Sequence, residues 1–264
     1  MSIETEDRVE TLARKLAEVR RSFQPIHSLP AELVPPDVAA SYRVDARVEK
    51  LLGWEPLGWK IAATTPAMQE RLESDVPIRG RTYARHRHQS PARLKMSALN
   101  GPMVECEFFM TLAKDLPLRD TDWTEAEVAA AVGTVHAGIE VAETRYVIGR
   151  RPGVTGLIAD ASSAGQYIFG PQVHLPPDGL AGVEVVLYVD GVAEQRGTGA
   201  DVLGNPIRAL QWLANDLRRL NRSLSAGEVI STGSITGVFY ARPDSLFRVE
   251  FGSHCAVEVT FDAA

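Results

Sequence analysis

Two glutamates in an apolar segment constrain this 264-residue chain more than any other feature of its sequence. Glu105 and Glu107 lie in residues 103–110, which otherwise consist of Met, Val, Cys and Phe, a composition typical of a β-strand. Residues i and i+2 of a strand point to the same face, so the two carboxylates would lie side by side. Adjacent carboxylates on an apolar strand repel each other and are costly to remove from water. The segment is therefore either an edge strand with both glutamates in water, or a strand whose carboxylates share a cation.

A third acid, Glu140, lies in a second apolar segment, residues 137–142. Together with Glu105 and Glu107 it would form a set of oxygen ligands that leaves coordination positions open for water and substrate. Oxygen ligands select hard ions, so we expect Mg²⁺, Mn²⁺ or Ca²⁺ rather than zinc. The alternative is that Glu140 caps a strand or pairs with Arg145.

Lys60 is the single charged residue in residues 57–64, where it follows a tryptophan and precedes isoleucine and alanine. This segment predicts a partly buried lysine that either pairs with an acid or has a lowered pKa. The alternative is a strand lysine whose amine extends back into water.

Two loops of small residues have the composition of segments that approach a ligand closely. Residues 233–237 contain Ser234 and Thr236 between two glycines, without the lysine and spacing of a phosphate-binding P-loop. Residues 160–165 begin with Asp160 and continue with Ala, Ser and Gly. For each loop the alternative is an ordinary tight turn.

The net charge of −6, from 28 Lys and Arg against 34 Asp and Glu, argues against a nucleic-acid partner. We interpret the one basic cluster as a solvated loop. Its members are Arg79, Arg81, Arg85, His86, Arg87 and His88. Cys106 and Cys255 form neither a disulfide framework nor a CxxC metal motif, which favours a reducing compartment. Without a recognisable signal peptide or membrane span, we expect a cytoplasmic protein with no membrane partner.

The first 50 or so residues predict two helices that precede a β-rich body. Residues 5–23 carry apolar residues at helical spacing, and residues 37–52 follow two prolines and end before Gly53. The residues expected to face inward are Val9, Leu12, Leu16, Val19 and Phe23 in the first helix, and Val38, Tyr42, Val48 and Leu52 in the second. After Gly53, short apolar segments alternate with Gly and Pro, as in β-rich proteins. We therefore predict a helical segment, residues 1–53, and a β-rich catalytic body, residues 54–264, which together form one catalytic unit.

Several later elements have clear boundaries in the sequence. Residues 183–189 predict a strand, and Asp190-Gly191 predicts the hairpin turn after it. Asn205-Pro206 predicts the start of a helix. The buried stripe of this helix would be Ile207, Leu210, Leu213, Leu217 and Leu220. Thr124 and Glu127 have the spacing of a capping box, and residues 247–261 alternate like strands.

Six motifs in order along the chain resemble those of a known family. They are Gly58-Trp59-Lys60-Ile61, Glu105-Cys106-Glu107, Ile139-Glu140-Val141 followed by Thr144-Arg145, Ala159-Asp160-Ala161-Ser162-Ser163, Leu203-Gly204-Asn205-Pro206 and Thr232-Gly233-Ser234. The chain resembles the 2-keto-4-pentenoate hydratases and 4-oxalocrotonate decarboxylases of the fumarylacetoacetate hydrolase superfamily. The resemblance extends over about residues 10–262.

The resemblance implies an α+β fold, in which a helical N-terminal segment precedes a mixed β-roll like that of fumarylacetoacetate hydrolase. It implies a metal-dependent hydro-lyase that adds water to a 2-hydroxy-2,4-dienoate, a small 2-oxo acid, and that forms a homo-oligomer. The cofactor would be Mg²⁺ or Mn²⁺ held by Glu105, Glu107 and Glu140. The catalytic residues would be Lys60, Asp160 and Ser163, and the substrate-binding residues would be Gly233, Ser234, Thr236 and Arg242.

Two departures from the family pattern bear on the substrate. Ala161 stands where the pattern has asparagine, which removes one polar contact. Residues 238–242 are bulkier and more basic than usual, so we expect Phe239, Tyr240 and Arg242 to form a pocket wall, with Arg242 pairing with a second carboxylate. The alternative is a core strand with Arg242 in solvent.

Three other functions stay open at this point. One is a 4-oxalocrotonate-type decarboxylase, which would use the same metal chemistry. Another is a diketo acid C–C hydrolase, which would normally need a His–Glu pair that the sequence does not place. The last is a non-catalytic scaffold subunit, against which the retention of the three acids and Lys60 argues.

Overall fold

The structure is a computed structural model that describes the backbone of residues 3–263 and the side chains of residues 6–263. The predicted domain bounds also include Met1, Ser2 and Ala264, which lie outside the described residues. The helices are α1 (Ile3–Ser22), α2 (Val38–Leu52), α3 (Pro66–Leu72), α4 (Glu125–Ala129), α5 (Gly153–Ala159) and α6 (Pro206–Arg219). The strands are β1 (Pro56–Ala62), β2 (Ile78–Tyr83), β3 (Arg87–Gln89), β4 (Ala92–Lys95), β5 (Met103–Leu112), β6 (Val132–Ala142), β7 (Gln166–Gln172), β8 (Glu184–Val189), β9 (Val192–Thr198), β10 (Val229–Ser231), β11 (Val238–Tyr240), β12 (Ser245–Phe251) and β13 (Cys255–Asp262).

Two mixed sheets form the β-rich body. In the larger sheet the order is β2-β1-β10-β5-β6-β7-β3, and β11 also pairs with β5. In the smaller sheet the order is β4-β13-β12-β8-β9. The main apolar core includes residues from both sheets, for example Phe108 and Phe251, whose ring centroids are 5.3 Å apart. Because β5 pairs with β6, β10 and β11, its side chains lie in the interior of the body and not at an edge.

The predicted apolar face of the first helix is covered within the chain. Leu12 and Leu16 of α1 are fully buried in a cluster with Val44 and Val48 of α2. Phe23 departs from the prediction, because it follows the helix with φ 58° and is 40% exposed. Since this apolar face packs intramolecularly, it gives no support for a homo-oligomer, which stays a prediction.

Helix caps lie where the sequence predicted them. The Asp37 side chain accepts a hydrogen bond from the Ala40 amide at the start of α2, and Gly53 ends that helix with φ 60°. Val38, predicted to face inward, is instead 47% exposed in the first turn. The Asn205 side chain accepts from the Ile207 amide at the start of α6.

Helix α6 and the β8–β9 hairpin end close to where the sequence predicted. The stripe of α6 is buried up to Leu217, but Leu220 lies at the helix end and is 51% exposed, so its predicted burial is wrong. Asp190 and Gly191 have positive φ angles of 50° and 82°, as expected of the predicted β8–β9 hairpin. The capping box of Thr124 and Glu127 is also present.

The interpretation of the basic cluster as a solvated loop is wrong for its first two members. Arg79 and Arg81 lie on β2 and are buried, whereas Arg85 and Arg87 are exposed as expected. Each buried guanidinium lies over the ring of Trp59, at 5.3 Å and 4.5 Å from its centroid. Arg79 pairs with Asp216 at 2.7 Å, and Arg81 pairs with Glu228 at 2.7 Å and Glu49 at 3.0 Å. These partners are distant in the sequence, which explains why composition alone suggested solvation.

In the part of the chain that the structure describes, no helix is both long and apolar enough to cross a membrane.

Asp45 of α2 should make the stability of the protein depend on pH. Burial raises the pKa of Asp45 from 3.8 to about 7, although Arg79 and Arg20 partly oppose the shift. Since the folded state then holds a proton that the unfolded state releases, stability falls as pH rises from about 4 to about 7. We expect Asp45→Asn to be more stable than the parent at pH 7.5 by roughly 2 to 4 kcal/mol, with little difference at pH 4.

Urea unfolding at the two pH values measures this difference. The exposed Asp75 provides a control, since Asp75→Asn should leave the pH dependence as it is in the parent. Parallel stability curves for the parent and Asp45→Asn would contradict the assignment.

Candidate active site

Three glutamates converge on the larger sheet. Glu105 and Glu107 point to one face of β5, and Glu140 of the antiparallel strand β6 lies directly opposite Glu105. One carboxylate oxygen from each of the three residues lies within 4.8 Å of the other two. The alternative of an edge strand with both glutamates in water does not hold, because the side chain of Glu105 is only 13% exposed and Glu107 is 1% exposed.

Lys60 of β1 lies against the same carboxylates. Its Nζ is 2.8 Å from Glu140 Oε1 and 3.4 Å from Glu105 Oε2, and its side chain is 2% exposed. The alternative of an amine that extends into water therefore does not hold. Burial lowers the pKa of the Lys60 amine, but Glu140 and Glu105 outweigh that effect and raise the pKa above its ordinary value. The lysine is held as a cation.

The charges of this cluster do not balance without a further cation. Three carboxylates and one ammonium sum to −3 + 1 = −2 when all are ionised. Burial, followed by the neighbouring Glu140 and Glu105, raises the pKa of Glu107 well above its ordinary value. Burial likewise raises the pKa of Glu140 to about 7. A divalent cation would supply the missing two charges.

The hydrogen bonds of the acids leave one oxygen of each buried acid without a partner. Glu107 Oε2 accepts from the Ser231 hydroxyl and from the Gly233 amide at 3.0 Å, and Glu140 Oε1 accepts from the Tyr167 hydroxyl at 3.1 Å. Glu107 Oε1 and Glu140 Oε2 are buried and accept no hydrogen bond. Desolvated oxygens without donors suit a hard cation such as Mg²⁺ or Mn²⁺, so these residues fit the metal that the sequence implied.

A cavity of about 240 Å³ opens beside Lys60 and Glu105. Hydroxyl groups on its wall come from Thr64, Thr65, Ser162, Ser163, Ser234 and Tyr240. Its apolar wall includes Met68, Leu72, Met103, Leu157 and Val238, and its remaining charged residues are Arg71 and Arg151. The cavity can therefore accept a small ligand with both polar and apolar parts.

Ser163 reaches this cavity from a left-handed turn. Ala161, Ser162 and Ser163 have successive φ angles of 51°, 51° and 62°, a conformation that residues other than glycine rarely adopt. Gly80 of β2 permits the turn, because a Cβ there would lie 1.9 Å from the Ala161 carbonyl oxygen. The hydroxyl of Ser163 is buried without a hydrogen-bond partner, which leaves it free for a ligand.

Asp160 lies behind the cavity wall, in an internal ion cluster. Its buried carboxylate accepts from Arg145 Nε and the Arg145 amide, and it also pairs with Arg20 at 3.6 Å. It is absent from the wall of the cavity. These contacts give Asp160 a part in supporting the turn, and its catalytic role stays a prediction. Arg145 is thereby committed to Asp160, so the proposed pairing of Arg145 with Glu140 does not occur.

Part of the predicted pocket wall is also wrong. Arg242 is exposed and stacks on Phe239, with 5.1 Å between the guanidinium carbon and the ring centroid, and neither residue lines the cavity. Phe239 packs toward the core against Phe247. Tyr240 alone of the three predicted residues lines the cavity, because side chains alternate along β11.

The glycine-rich loop, residues 233–237, contributes in a different way from the prediction. Ser234 lines the cavity and donates a hydrogen bond to the Gly237 carbonyl at 2.6 Å. Gly233 holds Glu107 through its amide, and Thr236 does not line the cavity. The predicted substrate contacts of Gly233 and Thr236 therefore stay a prediction.

Several residues of the site were missed from the sequence. They are Thr64, Thr65, Met68, Arg71, Arg151, Tyr167 and Ser231. The position of Ser231, directly before the Thr232-Gly233-Ser234 motif, could have suggested it. The arginines lie in segments with no recognisable pattern.

Comparison with known proteins agrees with this geometry. The fold and the acid cluster define a β-roll protein with a candidate metal centre. The family model of the fumarylacetoacetate (FAA) hydrolase C-terminal region matches residues 77–262, and the chain belongs to this family.

Relatives align over nearly the whole chain. A 2-keto-4-pentenoate hydratase of Burkholderia vietnamiensis is 28% identical over 259 residues, which cover 96% of this chain and 97% of the relative. A 4-oxalocrotonate decarboxylase of Pseudomonas sp. strain CF600 is 27% identical over 262 residues, which cover 97% and 98%. The structure of 4-oxalocrotonate decarboxylase from Pseudomonas putida G7, complexed with magnesium and adipate, superposes with a TM-score of 0.89 at 23% identity, covering 97% of this chain and 98% of that one. The predicted α+β fold with a helical N-terminal segment is thus confirmed, whereas the domain boundary at residue 53 stays a prediction.

We expect Glu107→Gln to weaken Mn²⁺ binding at least about tenfold, because it removes a buried charge and would put an amide NH₂ group, which cannot bind a cation, in place of the unpartnered Oε1. Isothermal titration calorimetry with the folded variant measures this affinity. Glu194 is exposed on β9, so Glu194→Gln should bind Mn²⁺ like the parent. Equal affinities for all three proteins would rule out Glu107 as a ligand.

We expect Gly80→Ala to lower the free energy of unfolding by at least about 1–3 kcal/mol, because the added Cβ would displace the Ala161 carbonyl. Chemical denaturation provides the measurement. Gly182→Ala is the matched control, since a Cβ at Gly182 meets nothing within 4 Å. The close approach would have no energetic role if both variants were as stable as the parent.

Proposed function

We propose that this protein is a divalent-cation-dependent hydro-lyase that adds water to a 2-hydroxy-2,4-dienoate and gives a 4-hydroxy-2-oxo acid. The observation that carries the proposal is the buried cluster of three glutamates and Lys60 at a cavity with hydroxyl groups on its wall. Relatives named 2-keto-4-pentenoate hydratase support the choice of reaction.

Glu105, Glu107 and Glu140 would hold Mg²⁺ or Mn²⁺. When bound, the ion supplies Lewis-acid chemistry that stabilises the enolate of a 2-oxo acid. The two unpartnered oxygens, Glu107 Oε1 and Glu140 Oε2, are the atoms best placed as ligands. Ser231 and Tyr167 orient the opposite oxygens of these carboxylates through their hydroxyl groups.

Lys60 would supply positive charge at the oxygens of the substrate. Its ammonium lies between Glu140 and Glu105 and lines the cavity, so it can donate a hydrogen bond to a bound anion. Its buried position excludes competing water and strengthens this interaction. Because the flanking carboxylates raise its pKa, Lys60 is suited to hold positive charge at the oxygens of the substrate rather than to release a proton.

Ser163 and Ser234 would position the substrate carboxylate and the attacking water. The hydroxyl of Ser163 is free to donate to a carboxylate. That of Ser234 already donates to Gly237, so it offers lone pairs that can accept from water. The two serines therefore have complementary roles at the wall of the cavity.

A decarboxylase is the second candidate, because relatives with the name 4-oxalocrotonate decarboxylase also align with the chain. The same stabilisation of an enolate would support loss of a distal carboxylate. A C–C hydrolase is not favoured, since no histidine lies among the described residues that line the cavity. The assembled charges of the site argue against a scaffold protein.

We expect the Mg²⁺-loaded protein to consume 2-hydroxypenta-2,4-dienoate, with loss of the dienol absorbance and formation of 4-hydroxy-2-oxopentanoate. Chelation of the metal should abolish the reaction, and renewed Mg²⁺ should restore it. Release of CO₂ from a 2-oxo-3-enedioate, in which the electron pair of the broken C–C bond passes through the enone to the C2 oxygen, without hydration of this compound or of the dienoate, would instead establish the decarboxylase. The absence of both reactions would contradict an enzymatic function.

Lys60→Met serves as the site variant in this assay. It should lower kcat by about 100-fold to 1,000-fold, because it removes the positive charge proposed to stabilise the oxygens of the substrate. Lys114 is exposed and outside the cavity, so Lys114→Met should retain the activity of the parent.

A further inference from the structure

Two arginines line the cavity without an acidic partner. Arg71 lies in the last turn of α3, and Arg151 lies just before α5. Among residues 6–263, neither guanidinium forms a hydrogen bond, and no carboxylate oxygen lies within 4.0 Å of its nitrogens. This distinguishes them from Arg79, Arg81 and Arg145, each of which is paired with a buried or half-buried carboxylate.

Arg151 is half-buried, and its Nε is fully enclosed with no acceptor. Burial lowers the pKa of Arg151, and the nearby charge of Arg71 lowers it further, although Asp160 and Tyr146 oppose the shift. A guanidinium nevertheless stays protonated in proteins, so a half-buried positive charge without an acidic partner lines the cavity. A partly desolvated charge without a partner is energetically unfavourable, and an anionic ligand in the cavity would supply that partner.

The charges on the cavity wall are also unbalanced. The ammonium of Lys60 pairs with Glu140 and Glu105, whereas no carboxylate of the described residues forms an ion pair with Arg71 or Arg151. Apolar side chains such as Met68, Leu72 and Leu157 line the same cavity. The wall is therefore complementary to a ligand that has an apolar middle and an anionic group beyond the one that the metal centre would bind.

We propose that the cavity recognises dicarboxylates, with the 2-oxo acid end at the glutamate cluster and the distal carboxylate bound by Arg151 and Arg71. This inference rests on the proposed function and refines its substrate to a dicarboxylate. A guanidinium can bind a carboxylate through two parallel hydrogen bonds, which favours a carboxylate over a neutral or methyl terminus. The sequence predicted that Arg242 would bind the second carboxylate. We assign that role instead to Arg71 and Arg151, which line the cavity.

A matched pair of unreactive ligands tests the proposal. 2-Oxohexanedioate and 2-oxohexanoate have the same chain length and differ only in a terminal carboxylate or methyl group. In calorimetric titrations of the Mg²⁺-loaded protein, we expect the dicarboxylate to bind about tenfold or more tightly than the monocarboxylate. Arg151→Gln should remove most of this preference by weakening the dicarboxylate alone, and Arg71→Gln should reduce it.

Arg242→Gln is the matched control and should preserve the preference, since Arg242 is exposed and outside the cavity. Arg71 is exposed, so Arg71→Gln should fold even if Arg151→Gln does not. A titration with Mg²⁺ verifies that each variant keeps an intact metal centre. Equal binding of the two ligands, or a preference unchanged in the variants of Arg71 and Arg151, overturns the dicarboxylate subsite while the proposed reaction stands. If neither ligand binds the Mg²⁺-loaded protein, the 2-oxo acid function itself fails.

Discussion

The desolvation of three carboxylates around one ammonium is the interaction on which the rest of the site depends. Glu107 and Glu140 are almost completely buried, and Lys60, which pairs with Glu140 and Glu105, is the one cation of the cluster among the described residues. Such a cluster is stable only where every charge is held in place, because the interior provides no water to replace a lost partner. Its position at the centre of the larger sheet supplies that rigidity: β1, β10, β5 and β6 are successive neighbours.

Close backbone contacts bring the lysine strand to the acid strand. β10 lies between β1 and β5, and Gly58 lets β1 approach β10 so closely that a Cβ would lie 1.9 Å from the Val229 carbonyl oxygen. The register then places Lys60 beside Ser231, whose hydroxyl donates to Glu107. The glycine two residues before the lysine in the sequence motif therefore has a packing reason, and the motif combines a chemical group with the backbone contact that positions it.

Sequence predicted the parts of this arrangement that depend on local spacing, and missed those that depend on distant partners. The spacing of Glu105 and Glu107 fixes their common face, and short-range hydrogen bonds fix the cap at Asn205. The family resemblance implied a catalytic role for Asp160, and nothing near it in the sequence reveals its partner Arg20, which lies 140 residues away. Arg151 carried no pattern, since its role depends on the cavity and not on its neighbours in the chain.

The ion pairs of Asp160 also connect the N-terminal helix α1 with the turn beside the cavity. The turn at residues 161–163 holds three left-handed residues, a strained conformation that persists only where surrounding contacts enforce it. Arg20 of α1 donates to the carbonyls of Asp160 and Ala164, each at 3.3 Å, and Arg145 donates to the Ala164 carbonyl at 2.8 Å. These bonds hold both ends of the turn. Because Ser163 reaches the cavity from this turn, Arg20 connects helix α1 to the wall of the cavity.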